Sequence, residues 1–289
     1  MNRIVTVIAC LVIVGCQPEP ASEAAGAAEA DTLAAILDAQ PDEAKARYPY
    51  RHPKETIEFF GIEPGMTVVE ALPGGGWYTK ILLPWLGEDG RLIGADYSLD
   101  MYPNFGFANE EFLAEQSKWV PNFVAWASEF GGENGADVRA FHFGSMPGEL
   151  AGTADVVLMV RALHNLARFE PKGGFLTEAL DEAFAILKPG GTLGIVQHHA
   201  RDDMSDDFAN GSRGYLKKGF VMAAAERAGF EFVAESDINA NAKDQPSEED
   251  RVWRLPPTLG TSADDPEPRA ELEAIGESNR MTLRFRKPE

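Results

Sequence analysis

A strand-like run, a glycine turn and a segment of helical character follow one another in residues 67–79, and this order constrains the fold more than any other feature. The run Thr67–Ala71 is rich in β-branched residues and carries the acidic Glu70 near its end. The turn and the residues just after it are Gly74, Gly75, Gly76, Trp77 and Tyr78. Glycines between a strand and a helix let a ligand approach bare backbone at the helix N-terminus, which is how a nucleotide-type cofactor site begins.

Strand-like and helical segments alternate through the rest of the chain. The further predicted strands are Arg91–Asp96, Asp137–Phe141, Asp155–Val160, Thr192–Gln197, Glu231–Glu235 and Met281–Arg286. Near-continuous apolar strands separated by helices predict a parallel sheet covered on both faces. The last strand follows an excursion over residues 239–268, which lets it enter antiparallel. The predicted fold class is α/β, a doubly wound, mostly parallel, seven-stranded sheet with N-terminal helices.

The predicted helices begin and end at capping or breaking residues. Asp31 can cap a helix that runs to about Ala46, and Pro53 begins a helix that Gly61 ends. The further predicted helices are Gly76–Leu86, Asn109–Phe130, Lys172–Leu187 and Leu216–Ala228. Since no repeat or second linker interrupts the alternation, residues 31–289 are predicted to form a single domain.

The charge of the chain argues against two classes of partner. The 289 residues are 44% hydrophobic, which is ordinary for a globular protein, and their formal net charge is −20. A surface this acidic repels nucleic acid phosphates and anionic lipid headgroups, so we expect neither as a direct partner. A small-molecule substrate is the expected partner, and the oligomeric state stays open.

The N-terminus has the pattern of an export signal. Residues 1–15 combine a short positive start with an apolar run, and they end in Ile-Val-Gly before Cys16, which resembles a bacterial lipobox. We expect a lipoprotein signal peptide, a lipidated Cys16, a flexible tether over residues 16–30 and an anchored, periplasm-facing protein of the bacterial cell envelope. A plain signal peptide or an uncleaved anchor are the alternatives. The mature protein then has no thiol for catalysis, a disulfide or a metal.

Four short strings identify a family that this chain resembles. They are Val68-Val69-Glu70 with Gly74 and Gly76, Ile93-Gly94-Ala95-Asp96, Asp155-Val156-Val157-Leu158-Met159, and Leu187-Lys188-Pro189-Gly190-Gly191-Thr192-Leu193. Together they resemble the class I methyltransferases that use S-adenosylmethionine, with a Rossmann-like fold. The Glu-x-x-Pro-Gly-Gly-Gly-Trp-Tyr form and the closing segment 277–285 look like a little-characterised bacterial branch of predicted methyltransferases.

The resemblance implies a cofactor site at the carboxyl ends of the first strands. Asp96 would accept hydrogen bonds from the ribose hydroxyls, and Glu70 would orient the loop and attract the cofactor's positive charge. Trp77 and Tyr78 could place a π-face near the sulfonium. The remaining expected contacts come from the turn, at Gly74, Gly75 and Gly76.

Two positions depart from the family pattern. The glycine that usually follows the first-strand acid by two residues is Leu72 in this chain. The third strand normally ends in an acid that faces the adenine, whereas here His142 or Ser145 would take that role.

Candidate catalytic residues follow the fourth strand, where the family places residues that face the substrate. They are Arg161, His164 and Asn165. Histidine is a natural general base near neutral pH, although a hydrogen-bonded loop histidine without a catalytic role is an equal alternative. His198 and His199 end the fifth strand, but adjacent strand residues point to opposite faces, so no metal site is predicted.

Two functions are consistent with this sequence. The first is transfer of a methyl group from S-adenosylmethionine to an unidentified acceptor, which we expect to be a small molecule. The second is a non-catalytic ligand-binding or scaffolding module of the envelope on a retained methyltransferase fold. Leu72 and an export signal favour the second function, since S-adenosylmethionine is made in the cytoplasm.

Overall fold

The computed structural model describes residues 32–260 and 266–289. The predicted signal peptide (1–15), the lipidation site Cys16 and the tether (16–30) lie outside the described residues. Within the described ranges, no helix combines the length and apolar character needed to cross a membrane.

A twisted sheet forms the centre of the molecule. Its strands are β1 (Thr67–Ala71), β2 (Arg91–Asp96), β3 (Asp137–His142), β4 (Ala154–Val160), β5 (Leu187–Ala200), β6 (Leu216–Lys217), β7 (Glu231–Ser236) and β8 (Arg280–Arg286). The order across the sheet is β3-β2-β1-β4-β5-β8-β7, and the short β6 pairs with β5 outside this path. The predicted α/β class with a mostly parallel sheet is confirmed.

The strand directions identify the functional edge of the sheet. β3, β2, β1, β4 and β5 run parallel, whereas β8 runs antiparallel to both of its neighbours. The chain turns one way from β1 to β2 and the other way to β4, so the carboxyl ends of β1 and β4 flank the switch point. Open α/β sheets bind ligands at this place.

Helices cover both faces of the sheet. They are α1 (32–38), α2 (Asp42–Lys45), α3 (Tyr48–Arg51), α4 (Pro53–Phe60), α5 (Thr79–Leu86), α6 (Glu110–Gln116), α7 (Trp119–Gly131), α8 (Leu163–Gly173), α9 (Phe175–Ile186), α10 (Lys218–Arg227) and α11 (Pro266–Ile275). Val68 of β1 packs with Leu82 and Phe123 on one face, while its neighbour Val69 packs with Leu180 on the other. This alternation is the two-residue period of a strand buried on both sides.

Several predicted boundaries were wrong for local reasons. The first helix was predicted to run to Ala46, but Pro41 divides it because a proline disfavours helical backbone at the residue before it. Residues 163–173 form the helix α8, which was not predicted. β5 already begins at Leu187, the last residue of the predicted helix Lys172–Leu187, and residues 266–275, which begin within the excursion, form α11.

The buried carboxylate of Asp244 links the excursion after β7 to the residues that precede β6 and β8. Arg254 Nη2 lies 2.9 Å from Asp244 Oδ1, and both side chains are almost fully buried. The Tyr215 hydroxyl and the backbone amide of Asn279 also donate to this carboxylate. These bonds hold residues 252–258 over the carboxyl ends of the strands.

Candidate active site

Two neighbouring cavities lie at the carboxyl ends of β1, β2 and β4. Their volumes are about 290 Å³ and about 530 Å³. The residues that line both are Gly74, Asp96, Tyr97, Asn165 and Trp253. The cavities therefore meet at the glycine turn and at the end of β2, two features that the sequence assigned to a cofactor.

The larger cavity, here called the aromatic cavity, has mainly apolar walls. The segment between β2 and α7 supplies most of its lining, namely Tyr102, Phe105, Phe107, Phe112, Gln116 and Trp119. A flat heteroaromatic group can stack on such rings, and the carboxylate of Asp96 lies at the border with the second cavity.

The smaller cavity, here called the polar cavity, gathers side chains from distant parts of the chain. Besides Asp96, its polar lining residues include Arg161, His164, Asn165, His198, Glu277 and Ser278. The excursion covers it with Val252, Trp253 and the segment 255–258. All three predicted catalytic residues therefore line one cavity, next to the predicted cofactor loop.

Asp96 is a buried carboxylate with one strong partner. Its side chain is 8% exposed, and the Tyr102 hydroxyl donates to Oδ2 at 2.6 Å. Burial raises the pKa of Asp96 above its ordinary value, although the hydrogen bond from Tyr102 opposes that change.

Leu72 and Arg161 have left-handed backbones at equivalent positions on adjacent strands. Leu72 follows β1 with a φ of 54°, and Arg161 follows β4 with a φ of 57°. Each amide bonds to the next strand, Leu72 N to Ala95 O at 2.7 Å and Arg161 N to Val196 O at 2.6 Å. Such backbones cost non-glycine residues about 1–2 kcal/mol and cluster at functional sites. Leu72 thus adopts a left-handed conformation that favours glycine, and it lines the polar cavity.

Two histidines face each other in the polar cavity. The ring centroids of His164 and His198 are 5.5 Å apart, and His198 Nδ1 lies 2.6 Å from the Ser278 hydroxyl. Burial, reinforced by Arg161 and Arg168, lowers the pKa of His164 to about 4, and burial also lowers that of His198. Both imidazoles are therefore neutral at neutral pH. His164 lies in the first turn of α8, not in a loop as one alternative assumed.

Four predicted cofactor contacts lie away from the walls of both cavities. Glu70 accepts a 2.6 Å hydrogen bond from the hydroxyl of Thr79, the first residue of α5. Trp77 packs against the core next to the buried Tyr78. The guanidinium carbon of Arg51 lies 4.7 Å from the centroid of the Trp77 ring. His142 Nδ1 lies 2.9 Å from the backbone oxygen of Tyr97, and its ring packs on Trp119. These four residues support the walls of the cavities.

The glycines of the turn have different surroundings. Gly74 lines both cavities with a φ of 56°, whereas Gly75 is exposed with open space beside its Cα. Gly76 has a φ of 72°, and a Cβ there would overlap the ring of Trp126. Of these three glycines, only Gly74 lines the cavities and can contact a ligand there.

Sequence reasoning missed several lining residues. Tyr97 lies directly after the predicted ribose acid, Asp96, and Tyr102 lies six residues after it, so their proximity to it was a usable signal. Glu277 and Ser278 belong to the closing segment that resembles the bacterial branch, but nothing in their spacing connects them with the fourth strand. His198 and His199 do point to different sides, since they line different cavities. Among the described residues, no group of acidic, histidine or cysteine side chains could hold a metal ion.

One relative of known name establishes the family. Ribosomal RNA large subunit methyltransferase E of Pseudomonas fluorescens (strain Pf0-1) is 30% identical over 164 residues, which are 55% of this chain and 68% of that protein. The chain belongs to the S-adenosylmethionine-dependent methyltransferases. No protein-family model matches it.

Solved methyltransferases have a similar chain trace at low identity. A methyltransferase from Aquifex aeolicus is 16% identical, with a TM-score of 0.48, covering 88% of this chain and 98% of that one. The 1,6-didemethyltoxoflavin-N1-methyltransferase of Burkholderia thailandensis, solved with S-adenosylhomocysteine, is 13% identical, with a TM-score of 0.45, covering 96% and 94%.

S-adenosylmethionine is the cofactor of this methyltransferase, and the two cavities fit it. The aromatic cavity, about 530 Å³, lies within the range of small-molecule sites, about 300–1,000 Å³, and the polar cavity, about 290 Å³, lies at its lower limit. A buried carboxylate, Asp96, stands where the cavities meet and can accept hydrogen bonds from hydroxyl groups. Gly74 beside it has no side chain to exclude a ligand. The set of donors and acceptors at this border therefore suits a nucleoside.

Proposed function

We propose that this chain transfers a methyl group from S-adenosylmethionine to a small-molecule acceptor in the polar cavity. One observation carries the proposal: the aromatic and polar cavities meet at Gly74 and Asp96, and His164 and Asn165 line the second of them. A cofactor held at this border would have its adenosine on the aromatic side and its reactive end on the polar side.

The residues that would hold the cofactor are those at the border of the cavities. Asp96 would accept hydrogen bonds from the ribose hydroxyls, the backbone of Gly74 would lie next to the ligand, and the rings of the aromatic cavity would stack on the base. When bound, the cofactor supplies an electrophilic methyl group on a sulfonium. Glu70 and Trp77 act indirectly, because they position the turn and the start of α5.

The polar cavity positions the acceptor and excludes water. Trp253 and the excursion close one side, and Asn165 is fixed by its 2.9 Å hydrogen bond to the Tyr97 hydroxyl. The neutral imidazole of His164 can accept a proton from an acceptor hydroxyl or amine as that group becomes methylated. Orientation supplies most of the rate enhancement that this arrangement can provide.

Isothermal titration with S-adenosylhomocysteine tests the cofactor site. We expect the purified protein to bind, and Asp96→Asn to weaken binding about 10- to 100-fold, as for a lost hydrogen bond to a charged group. Asp100→Asn, a change at an exposed residue of the same loop, is the matched control and should bind like the unaltered protein. Absence of binding by the unaltered protein would contradict the proposed function.

The second candidate is a binding module without catalytic activity. Leu72 favours it, because this side chain occupies part of the cavity where the family usually has a glycine. The polar cavity nevertheless keeps a volume of about 290 Å³ beside Leu72, and Trp77 packs against the core and lines neither cavity. If Leu72→Gly bound S-adenosylhomocysteine and the unaltered protein did not, the binding module would be favoured.

The acceptor of the named relative, ribosomal RNA, is a poor match for this chain. A formal net charge of −20 repels an RNA backbone, and the polar cavity is partly covered by the excursion. We therefore propose a small molecule as acceptor. A nitrocellulose filter assay with ribosomal RNA should show no retention at physiological salt.

For location we propose a lipid-anchored protein of the cell envelope, on the strength of the residues before and at Cys16. Cys16→Ser should abolish labelling by a fatty-acid analogue and release the protein from membranes. Membrane fractionation of that variant at the wild-type level would rule out the lipoprotein.

A further inference from the structure

A cluster of arginines lies beside the polar cavity. Its members, here called the arginine cluster, are Arg47, Arg51, Arg161 and Arg280, arranged around Glu277. The Glu277 carboxylate lies 2.9 Å from Arg47 Nε, 3.0 Å from Arg51 Nε and 3.1 Å from Arg280 Nη1. One carboxylate therefore serves three guanidinium groups, while the fourth, on Arg161, lines the cavity itself.

The cluster has more positive than negative charge. Four arginines and one glutamate leave an excess of three positive charges, in a chain whose net charge is −20. Arg51 and Arg280 are each 2% exposed, so water compensates them poorly. Burial, with a smaller effect from repulsion between the arginines, lowers the pKa of Arg161 to about 9 and that of Arg51 to about 10, which leaves both protonated at neutral pH.

Several nitrogen atoms of the cluster have no hydrogen-bond partner among the described residues. They are Arg47 Nη2, Arg51 Nη2 and Arg161 Nε. Unsatisfied buried donors are rare in native structures and indicate a missing partner. Arg161 also differs from the other three arginines because none of the ion pairs between described residues includes it.

The cofactor does not compensate this excess. S-adenosylmethionine carries one carboxylate, one ammonium and one sulfonium, and its net charge is positive. Its carboxylate can bind one guanidinium of the cluster, but its two cationic groups add to the local positive charge. A second anionic group, from another molecule, would balance the site.

We propose that the methyl acceptor is a small anion whose carboxylate or phosphate group binds Arg161 in the polar cavity. The inference rests on the methyltransferase function proposed above. Arg161 presents a guanidinium fork suited to two oxygens, and the neutral imidazoles of His164 and His198 line the same space without adding charge. The reacting hydroxyl or amine of the acceptor then lies near His164, on the side of the cofactor.

Inorganic phosphate is the probe for this site. We expect calorimetric titration of the full chain, saturated with S-adenosylhomocysteine, to show phosphate binding. Arg161→Gln should weaken it about 10- to 100-fold, whereas Arg161→Lys, which keeps the charge, should weaken it less. Arg139→Gln, at an exposed arginine of β3, is the matched control. Unchanged phosphate affinity in Arg161→Gln overturns the proposal, and circular dichroism of each variant verifies that it is folded.

Two further titrations separate the acceptor from the cofactor's own carboxylate. 5′-Methylthioadenosine lacks the amino-acid part of the cofactor, so Arg161→Gln should bind it and S-adenosylhomocysteine like the unaltered protein. If Arg161→Gln weakened the binding of S-adenosylhomocysteine but not that of 5′-methylthioadenosine, and phosphate competed with S-adenosylhomocysteine, then Arg161 would bind the cofactor's carboxylate. That result would refute the proposal. If the unaltered protein bound neither 5′-methylthioadenosine nor S-adenosylhomocysteine, the proposed methyltransferase function would be refuted. The anion could then no longer be regarded as a methyl acceptor. Phosphate binding that depends on Arg161 would still establish the anion site.

Discussion

Replacement of Glu70 by glutamine should make the protein more resistant to unfolding at high pH and leave it nearly unchanged at low pH. Glu70 is 5% exposed at the end of β1, between β2 and β4, and its partner is the hydroxyl of Thr79. Burial raises the pKa of this carboxyl from the ordinary 4.5 to about 7, because the hydrogen bond from Thr79 offsets only part of the desolvation.

The sign and size of the effect follow from that pKa. Between pH 4.5 and pH 7 the folded state keeps a proton on Glu70 that the unfolded state has lost, so stability falls as the pH rises through this window. At 1.36 kcal/mol for each pKa unit, the loss is about 3 kcal/mol by pH 8. Glutamine keeps the shape and an acceptor oxygen but cannot ionise, so the variant avoids this loss.

Urea unfolding followed by tryptophan fluorescence at pH 5, 6, 7 and 8 measures the difference. We expect the free energy of unfolding of Glu70→Gln, relative to the unaltered protein, to rise by about 3 kcal/mol across this series. Glu149→Gln, at an exposed carboxylate, is the control and should show no trend. A difference that does not vary with pH would refute the reasoning, since it would mean that Glu70 is ionised throughout.

Two further predictions use pairs of matched variants in the same urea assay. Gly94→Ala should cost about 1–3 kcal/mol, because a Cβ there would lie 2.5 Å from the buried ring of Phe123, whereas Gly75→Ala, with open space around it, should be neutral. Equal stability of the two would show that α7 can move away from β2. Asp244→Ala should cost about 3–5 kcal/mol, because it removes the buried carboxylate that pairs with Arg254 and accepts hydrogen bonds from Tyr215 and Asn279, and so frees the cover of the polar cavity. Asp206→Ala removes an ion pair from the surface and should not change stability measurably; a similar loss in both would contradict a special role for the buried pair.

The strands around the glycine turn could be predicted because their signals are local. β1 and β2 begin and end at the predicted residues, since apolar runs bounded by turn residues leave little freedom in register. The helix α8 was missed although Leu163, Leu166, Ala167 and Phe169 have helical spacing and are buried. Pro171 inside it is a strong helix-breaking signal, but it lies in the last turn, where it removes few hydrogen bonds.

The direction in which each side chain of the turn points could not be predicted. The sequence placed Glu70, Trp77 and Tyr78 next to a cofactor, and the structure directs them toward Thr79 and the core. A strand residue faces one side or the other according to the register of its sheet, and a turn adds rotations that its composition does not report. Leu72 shows the same limit, since its left-handed backbone is a property of the assembled turn.

The sequence by itself determined the fold class, the strand-turn-helix unit at residues 67–79 and the region of the candidate site, because each depends on short-range patterns. Only the tertiary structure decided what surrounds that site. Glu277 and Ser278 reach His198 and Arg161 from more than 75 residues away, after the excursion and just before the antiparallel strand β8. Long-range contacts of this kind depend on the packing of the whole sheet, and they produce the excess of positive charge on which the proposed anionic acceptor depends.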